Sequence, residues 1–400
     1  MENREGSGEV DVGRLAGLLA PMLERAPPEP PRLDAAAWHA LATRAVRERL
    51  GPLLHAALQR ASRTDVPAAV QTLLAQEHCR AAAAALYQQQ ELAAILRACA
   101  AAQIPCIVLK GSALAATLYP DPALRPCGDL DLLFHPAHMP QVVELLRARG
   151  YESRIGPRPG ARLPRAGKEY HFSRLGQRPA IVEPHWHITS NAYYARRIPV
   201  ARWWEAATPA LFGSVTGLML PPPLQFLHLV THYYLHYLGH HLLWSFDLAL
   251  LLAQQGAAWN WDELADEARE LGIIFFVQKA LAMAAQQWGV APPSAATAAL
   301  AIQRSDYATR VAAWAAHTPG SPAWLLWQAA YTPAPWLRLQ LLARLVLPSR
   351  TGVRHFWQCA DRGRLVAGYC RRLAQLPRQL LDLSRQLWRL RTADPAETSG

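Results

Sequence analysis

The segment GDLDLLF, Gly128–Phe134, constrains this chain more than any other. Leucine alternates with aspartate, and a period of two is the pattern of a β-strand with a buried face. Side chains at i and i+2 share a face, so Asp129 and Asp131 project together while Leu130 and Leu132 enter a core. Two ionised carboxylates side by side in an apolar element repel each other and resist desolvation. Either one keeps a proton or a cation sits between them. A divalent metal resolves the conflict best, and Mg²⁺ takes oxygen ligands of this kind while leaving positions for water and phosphate.

The neighbouring sequence supplies partners for such a site. IPCIVLKG reads as a strand that ends at its glycine, and SALAATLY as a short helix with Ser112 as its expected N-cap. Backbone N–H groups at Lys110-Gly111-Ser112 can therefore receive phosphate oxygens, and a glycine admits a close approach. Arg125, four residues before Asp129, offers a planar fork to a triphosphate. A third acid, Glu183, stands in the apolar stretch IVEPHWHI, expected as another strand. Three carboxylates around one or two metals make a phosphoryl- or nucleotidyl-transfer centre. His185 and His187 share parity with Glu183, with Trp186 expected in the core on the opposite face. A nucleotide contact or base role and a structural role both stay open for the two histidines. Pro184 has no N–H for a ladder and points to a sheet edge or a bulge there.

Together these residues resemble a known family. K-G at a strand end, then R-x-x-G-D-x-D-L-L, then h-E-x-H-W resemble the uncharacterised nucleotidyltransferase-like family of the polymerase-β superfamily. The likeness runs from about Trp38 to Trp288. It implies an α/β (α+β) nucleotidyltransferase core with a mixed β-sheet, helices on one side of it, and flanking N-terminal and C-terminal helical regions. It also implies metal ligands at Asp129, Asp131 and Glu183, and phosphate contacts at Gly111 and Ser112. Lys110 and Arg125 match positions typical of the family. The spacing from Gly111 to Asp129 is longer than in compact superfamily members, which points to an inserted loop.

Organisation along the chain follows from periodicity and breakers. Residues 1–78 form an expected N-terminal helical region, 79–190 the α/β core, 191–345 a second helical region on the core, and 346–400 a basic amphipathic tail. Val66–Ala102 contains no glycine and reads as one or two helices, and Met139–Arg149 as an amphipathic helix ended by Gly150. Tyr151–Ser153, Glu169–Arg174 and Ala180–Ile188 read as strands, and the chain reads as helical again after Asn191.

Composition narrows the classes further. Of 400 residues 51% are apolar and 18% charged, enough to bury a core and too few charges for wholesale disorder. The net charge of +11 comes from arginine, since Lys110, Lys168 and Lys279 are the only lysines, and it favours anionic partners. Six cysteines without a C-x-x-C pair read as reduced thiols, and the acidic, polar start is no signal peptide; both place the chain in the cytoplasm. No apolar run reaches the roughly eighteen residues of a membrane span.

Other features have plainer readings. His228, His232 and His236 recur every four residues, followed by His240 and His241, in a segment dense in Tyr, Leu and Trp. Packed histidines come first there, a substrate pocket second, and zinc third because no H-E-x-x-H is present. Asp247, alone in LLWSFDLALL, calls for an arginine or histidine partner unless it faces the cleft. The tail can pack its leucine stripe on its own domain, lie on an acidic membrane surface, or meet RNA, although no aromatic-interleaved nucleic-acid motif is evident. The functional expectation is a Mg²⁺- or Mn²⁺-dependent enzyme that moves a nucleoside monophosphate from ATP or another nucleoside triphosphate to an unknown acceptor. The alternative is an inactive nucleotide-binding module or scaffold of the same fold.

Overall fold

The computed structural model describes residues 5–24, 33–153, 168–176, 179–236, 241–300, 322–331, 335–346, 370, 374–386 and 388. The Pro/Gly/Arg-rich loop after Ser153 and most of the basic tail lie outside them.

Four helices open the chain: α1 (Glu5–Leu19), α2 (Ala35–Arg47), α3 (Gly51–Arg60) and α4 (Ala68–Ala101). The side chain of Asp34 accepts the Ala37 N–H at 2.8 Å and starts α2. α2 stops in a Schellman turn, with Leu50 N–H donating to Ala45 O at 2.7 Å and Arg49 N–H to Val46 O at 3.0 Å. Arg49 holds the left-handed position of that turn, at φ 63°. A residue with a Cβ costs about 1–2 kcal/mol there, and glycine is the usual occupant. The glycine-free segment forms one helix of 34 residues, α4, rather than two.

The sheet then assembles from β1 (Ile107–Val108), β2 (Leu130–Leu133), β3 (Phe172–Arg174), β4 (Ala180–His185), β5 (Thr208–Phe212) and β6 (Val215–Met219). Its order is β3-β4-β2-β1-β6-β5. β2 runs parallel to β4 and antiparallel to β1, and β1 runs parallel to β6. The hairpin β5–β6 falls where the sequence reads as helical. Pro209 and the short, half-exposed alternation mask it, and Gly213 at φ 63° makes its turn.

Between these strands lie α5 (Lys110–Thr117) and α6 (Met139–Ala148); Gly150, at φ 79°, follows α6. After β4 come α7 (Ala192–Ala195) and α8 (Val200–Ala206). Beyond the hairpin come α9 (Pro222–His236), α10 (Leu242–Gln255), α11 (Trp261–Glu270), α12 (Ile274–Trp288) and α13 (Ser294–Ala299). Among the described residues no helix is long and apolar enough to cross a membrane.

Strand parity divides the core in two. Val108, Leu130, Leu132, Phe172 and Val182 pack with Leu92, Ile95 and Leu96 of α4 and with Val142 and Leu146 of α6. Ile107, Leu109 and Leu133 face the other way and join one large core with α1–α3 and α9–α13. Helices therefore cover both faces of the sheet, not the single side the resemblance implies: α4 and α6 lie on one face, and the helices before and after them on the other. The result is an α+β protein with a mixed six-stranded sheet.

Candidate active site

The register of the central strands brings two of the sequence-predicted acids together. Asp131 of β2 stands opposite Glu183 of β4, and Leu133 opposite His185. Partners on parallel neighbours point to the same face, so Asp131, Glu183 and His185 emerge side by side on the face of the larger core. A ligand atom from each of these three lies within 4.8 Å of the others. Asp129 sits just before β2 and supplies no atom to that group. Its carboxyl is nonetheless raised by burial and by the charge of Asp131, and Asp129 in turn acts on Glu183.

Pro184 occupies neither an edge nor a bulge. Its carbonyl accepts the Tyr170 N–H at 3.1 Å on the β3 side. In a strand the N–H and C=O of one residue point the same way, so the missing donor faces β3 and the β2–β4 ladder is untouched.

Lys110 reaches this cluster from the start of α5. It adopts φ 46°, a left-handed conformation costing about 1–2 kcal/mol for a residue with a Cβ, and such strain concentrates at functional sites. The chain leaves β1 and enters α5 there, and Lys110 Nζ bonds Asp131 Oδ1 at 2.7 Å. His185 Nε2 meets the same oxygen at 2.8 Å. Burial pushes Asp131 up, but the Lys110 charge and the His185 hydrogen bond outweigh it and hold the carboxyl well below its usual range. Burial and the Lys110 charge lower His185.

Three further residues extend the network. Glu169 pairs with Lys168, and its Oε2 lies 3.1 Å from His185 Nδ1. His171 Nδ1 approaches Glu183 Oε1 at 3.3 Å. Burial raises Glu183, the charges of Glu169, Asp131 and Asp129 add to it, and its pKa is raised to about 7. Lys168, Glu169 and His171 were missed in the sequence. For Glu169 and His171 the alternation in KEYHF carries the signal, because Tyr170 and Phe172 belong to the smaller core while Glu169 and His171 face the acids.

The other predicted residues are placed as follows. Arg125 is buried and its fork is taken by Asp247 of α10, with Nη2 at 2.6 Å from Oδ2 and Nε at 3.2 Å from Oδ1. The Tyr119 hydroxyl donates to Asp247 Oδ1 at 2.6 Å. Asp247 thus has its arginine, and Arg125 presents no open fork to a ligand. Gly111 makes room for this arginine, since a Cβ there would meet Arg125 Nη1 at 2.6 Å and Cys127 Sγ at 2.8 Å. Ser112 is no N-cap: α5 starts two residues earlier, with Leu109 at the cap position. Ser112 instead lines a groove with Gln88, Gln89, Arg125 and Phe212.

His187 lies past the end of β4 and turns away from the acids, its Nδ1 accepting the Thr189 N–H at 3.2 Å. Trp186 packs into the smaller core against Tyr170, ring centroids 4.8 Å apart. His228 is fully buried beside Trp203, with burial holding its ring well below the usual imidazole range. His232 and His241 pack on Trp244. The side chains of His236 and His240 lie outside the described residues. Among the described residues the histidine helix gathers no group of metal ligands; the one such group is Asp131, Glu183 and His185.

The donor set fits a divalent cation. Asp129, Asp131, Glu169 and Glu183 face the ammoniums of Lys110 and Lys168, which leaves negative charge in excess when all are ionised. Lys110 and His185 both use Oδ1 of Asp131, leaving Oδ2 for a metal. Carboxylate oxygens suit Mg²⁺ or Mn²⁺ better than softer ions.

A mixed sheet carrying an acidic group of this kind on its central strands is consistent with a nucleotidyltransferase core. The chain belongs to the family described as uncharacterised nucleotidyltransferase, which matches residues 34–289. The family's description names nucleotidyl transfer, which implies a nucleotide substrate. No curated protein matches the chain.

Proposed function

We propose that this protein is a Mg²⁺- or Mn²⁺-dependent nucleotidyltransferase of the polymerase-β type that moves a nucleoside monophosphate from a nucleoside triphosphate to an acceptor. The observation that carries this is the register pair Asp131–Glu183 on parallel neighbours, with Asp129 beside it. Asp129, Asp131 and Glu183 would hold the metal. The bound ion supplies charge neutralisation at the triphosphate oxygens and a lower pKa for the attacking hydroxyl. Glu183, raised to about 7, is poised to take the acceptor's proton near neutral pH. Backbone N–H groups at the start of α5, from Lys110 to Ser112, receive phosphate oxygens. Arg125 acts indirectly: fixed by Asp247, it buttresses Gly111 from below.

A specific observation favours a second reading, a nucleotide-binding module without turnover. The Lys110 ammonium already bonds Asp131, standing where a metal would. Titration calorimetry with ATP, GTP, CTP and UTP, with and without Mg²⁺, tests the first reading against an Asp129→Asn/Asp131→Asn variant. Mg²⁺-dependent binding of at least one triphosphate, lost in the variant, is expected; its absence in the wild type overturns the proposal. Tight binding without pyrophosphate release across a broad acceptor screen establishes the second reading.

A further inference from the structure

The cations around the acidic cluster are almost all committed. Lys110 bonds Asp131, Lys168 bonds Glu169, and Arg125 is locked on Asp247. Arg49 is different. It comes from the turn between α2 and α3, in the helical region before the sheet, and reaches the loop that leads into β2. A Cβ placed on Gly128 would lie 3.7 Å from both Nη1 and Nη2 of Arg49, so the open fork lies against the residue before Asp129. Among the described residues its guanidinium makes no ion pair and no hydrogen bond. It is half-buried, and its charge acts on Asp129 without forming an ion pair with it.

The backbone adds an independent observation. Arg49 occupies the left-handed position of the Schellman turn, where glycine is unstrained and arginine is not. The turn needs no side chain at this position, and the side chain it has presents a planar donor fork beside Gly128 and Asp129.

We infer that Arg49 binds the terminal phosphates of the incoming nucleoside triphosphate, deepening the proposed function and resting on it. A guanidinium fork matches two phosphate oxygens in a bidentate pair, which an ammonium cannot do. The terminal phosphates carry most of the triphosphate charge and lie outside the reacting centre. Asp129 is half-buried where Asp131 is buried, and the charge of Arg49 acts on this more accessible acid.

The test uses the full chain and titration calorimetry with three probes: a nucleoside triphosphate with Mg²⁺, inorganic tripolyphosphate, and the nucleoside monophosphate. Arg49→Gly is the informative variant because glycine relaxes the turn, so its Tm should equal or exceed that of the wild type. Binding of triphosphate and tripolyphosphate should fall about 10- to 100-fold, as for the loss of a charge-assisted hydrogen-bonded pair, while monophosphate binding stays unchanged. Arg49→Lys should recover only part of the loss. A wild type that binds triphosphate while Arg49→Gly binds it equally well overturns this inference alone. An equal loss for all three probes also overturns it, because the effect then lies in the site as a whole. A wild type that binds no triphosphate removes the proposed function and this inference with it.

Discussion

Glu183 gives the site a pH signature that can be read without substrate. Its folded pKa is raised to about 7 by burial and by Glu169, Asp131 and Asp129, against an ordinary 4.5. Between those values the folded chain holds a proton that the unfolded chain has lost, so stability falls as pH rises through this window. The full shift would amount to about 3 kcal/mol, and partial exposure of the carboxyl reduces that to about 1–3 kcal/mol. Asp131 and Glu169 are held below their usual range, and they lose stability only at more acidic pH, as their folded carboxylates are protonated. His185, lowered by burial, acts in the overlapping range with the opposite slope, so the comparison must be made against a variant. Glu183→Gln is neutral throughout. In urea melts with EDTA it should match the wild type near pH 5 and exceed it by about 1–3 kcal/mol near pH 8. Adding Mg²⁺ at the higher pH should stabilise the wild type and shrink that difference. Equal stability of the two proteins near pH 8 in EDTA would refute the crowding of acids on which the metal site rests.

Two other perturbations probe the frame of the site. Asp247→Ala leaves Arg125 charged and buried and the Tyr119 hydroxyl without its acceptor; it should cost about 3–5 kcal/mol in urea denaturation, while Arg125→Met/Asp247→Leu should recover most of the loss. A double variant no better than the single would show that the pair is not what holds the loop. Gly111→Ala drives a methyl against a guanidinium that Asp247 keeps from moving; a loss of about 1–3 kcal/mol is expected, and an unchanged Tm would contradict the close packing.

The sequence was most legible where side-chain period and burial agree. Alternation in GDLDLLF and IVEPHWHI is enough to bring Asp131 and Glu183 to one face, because a buried opposite face leaves the strands only one register. The same logic carries Trp186 into the smaller core. It fails at chain reversals. Lys110 enters α5 with a left-handed backbone that no local residue preference announces, and this displaces Ser112 from the cap position. It fails again for long-range pairs, since nothing near Arg125 shows that its partner is Asp247, 122 positions later. The hairpin β5–β6 is invisible for a related reason: β6 gains its place by pairing with β1, far away in sequence, rather than by its own pattern.

The larger core has a consequence for how such a chain evolves. It runs from Leu15 in the first helix through Ile107 and Leu133 of the sheet to Leu300, just after α13. Both flanks cover that same side of the sheet, so cutting the strands free of either would strip part of its apolar cover. This sheet is therefore poor material for domain shuffling, and new specificity has to arise by altering loops and helix faces in place.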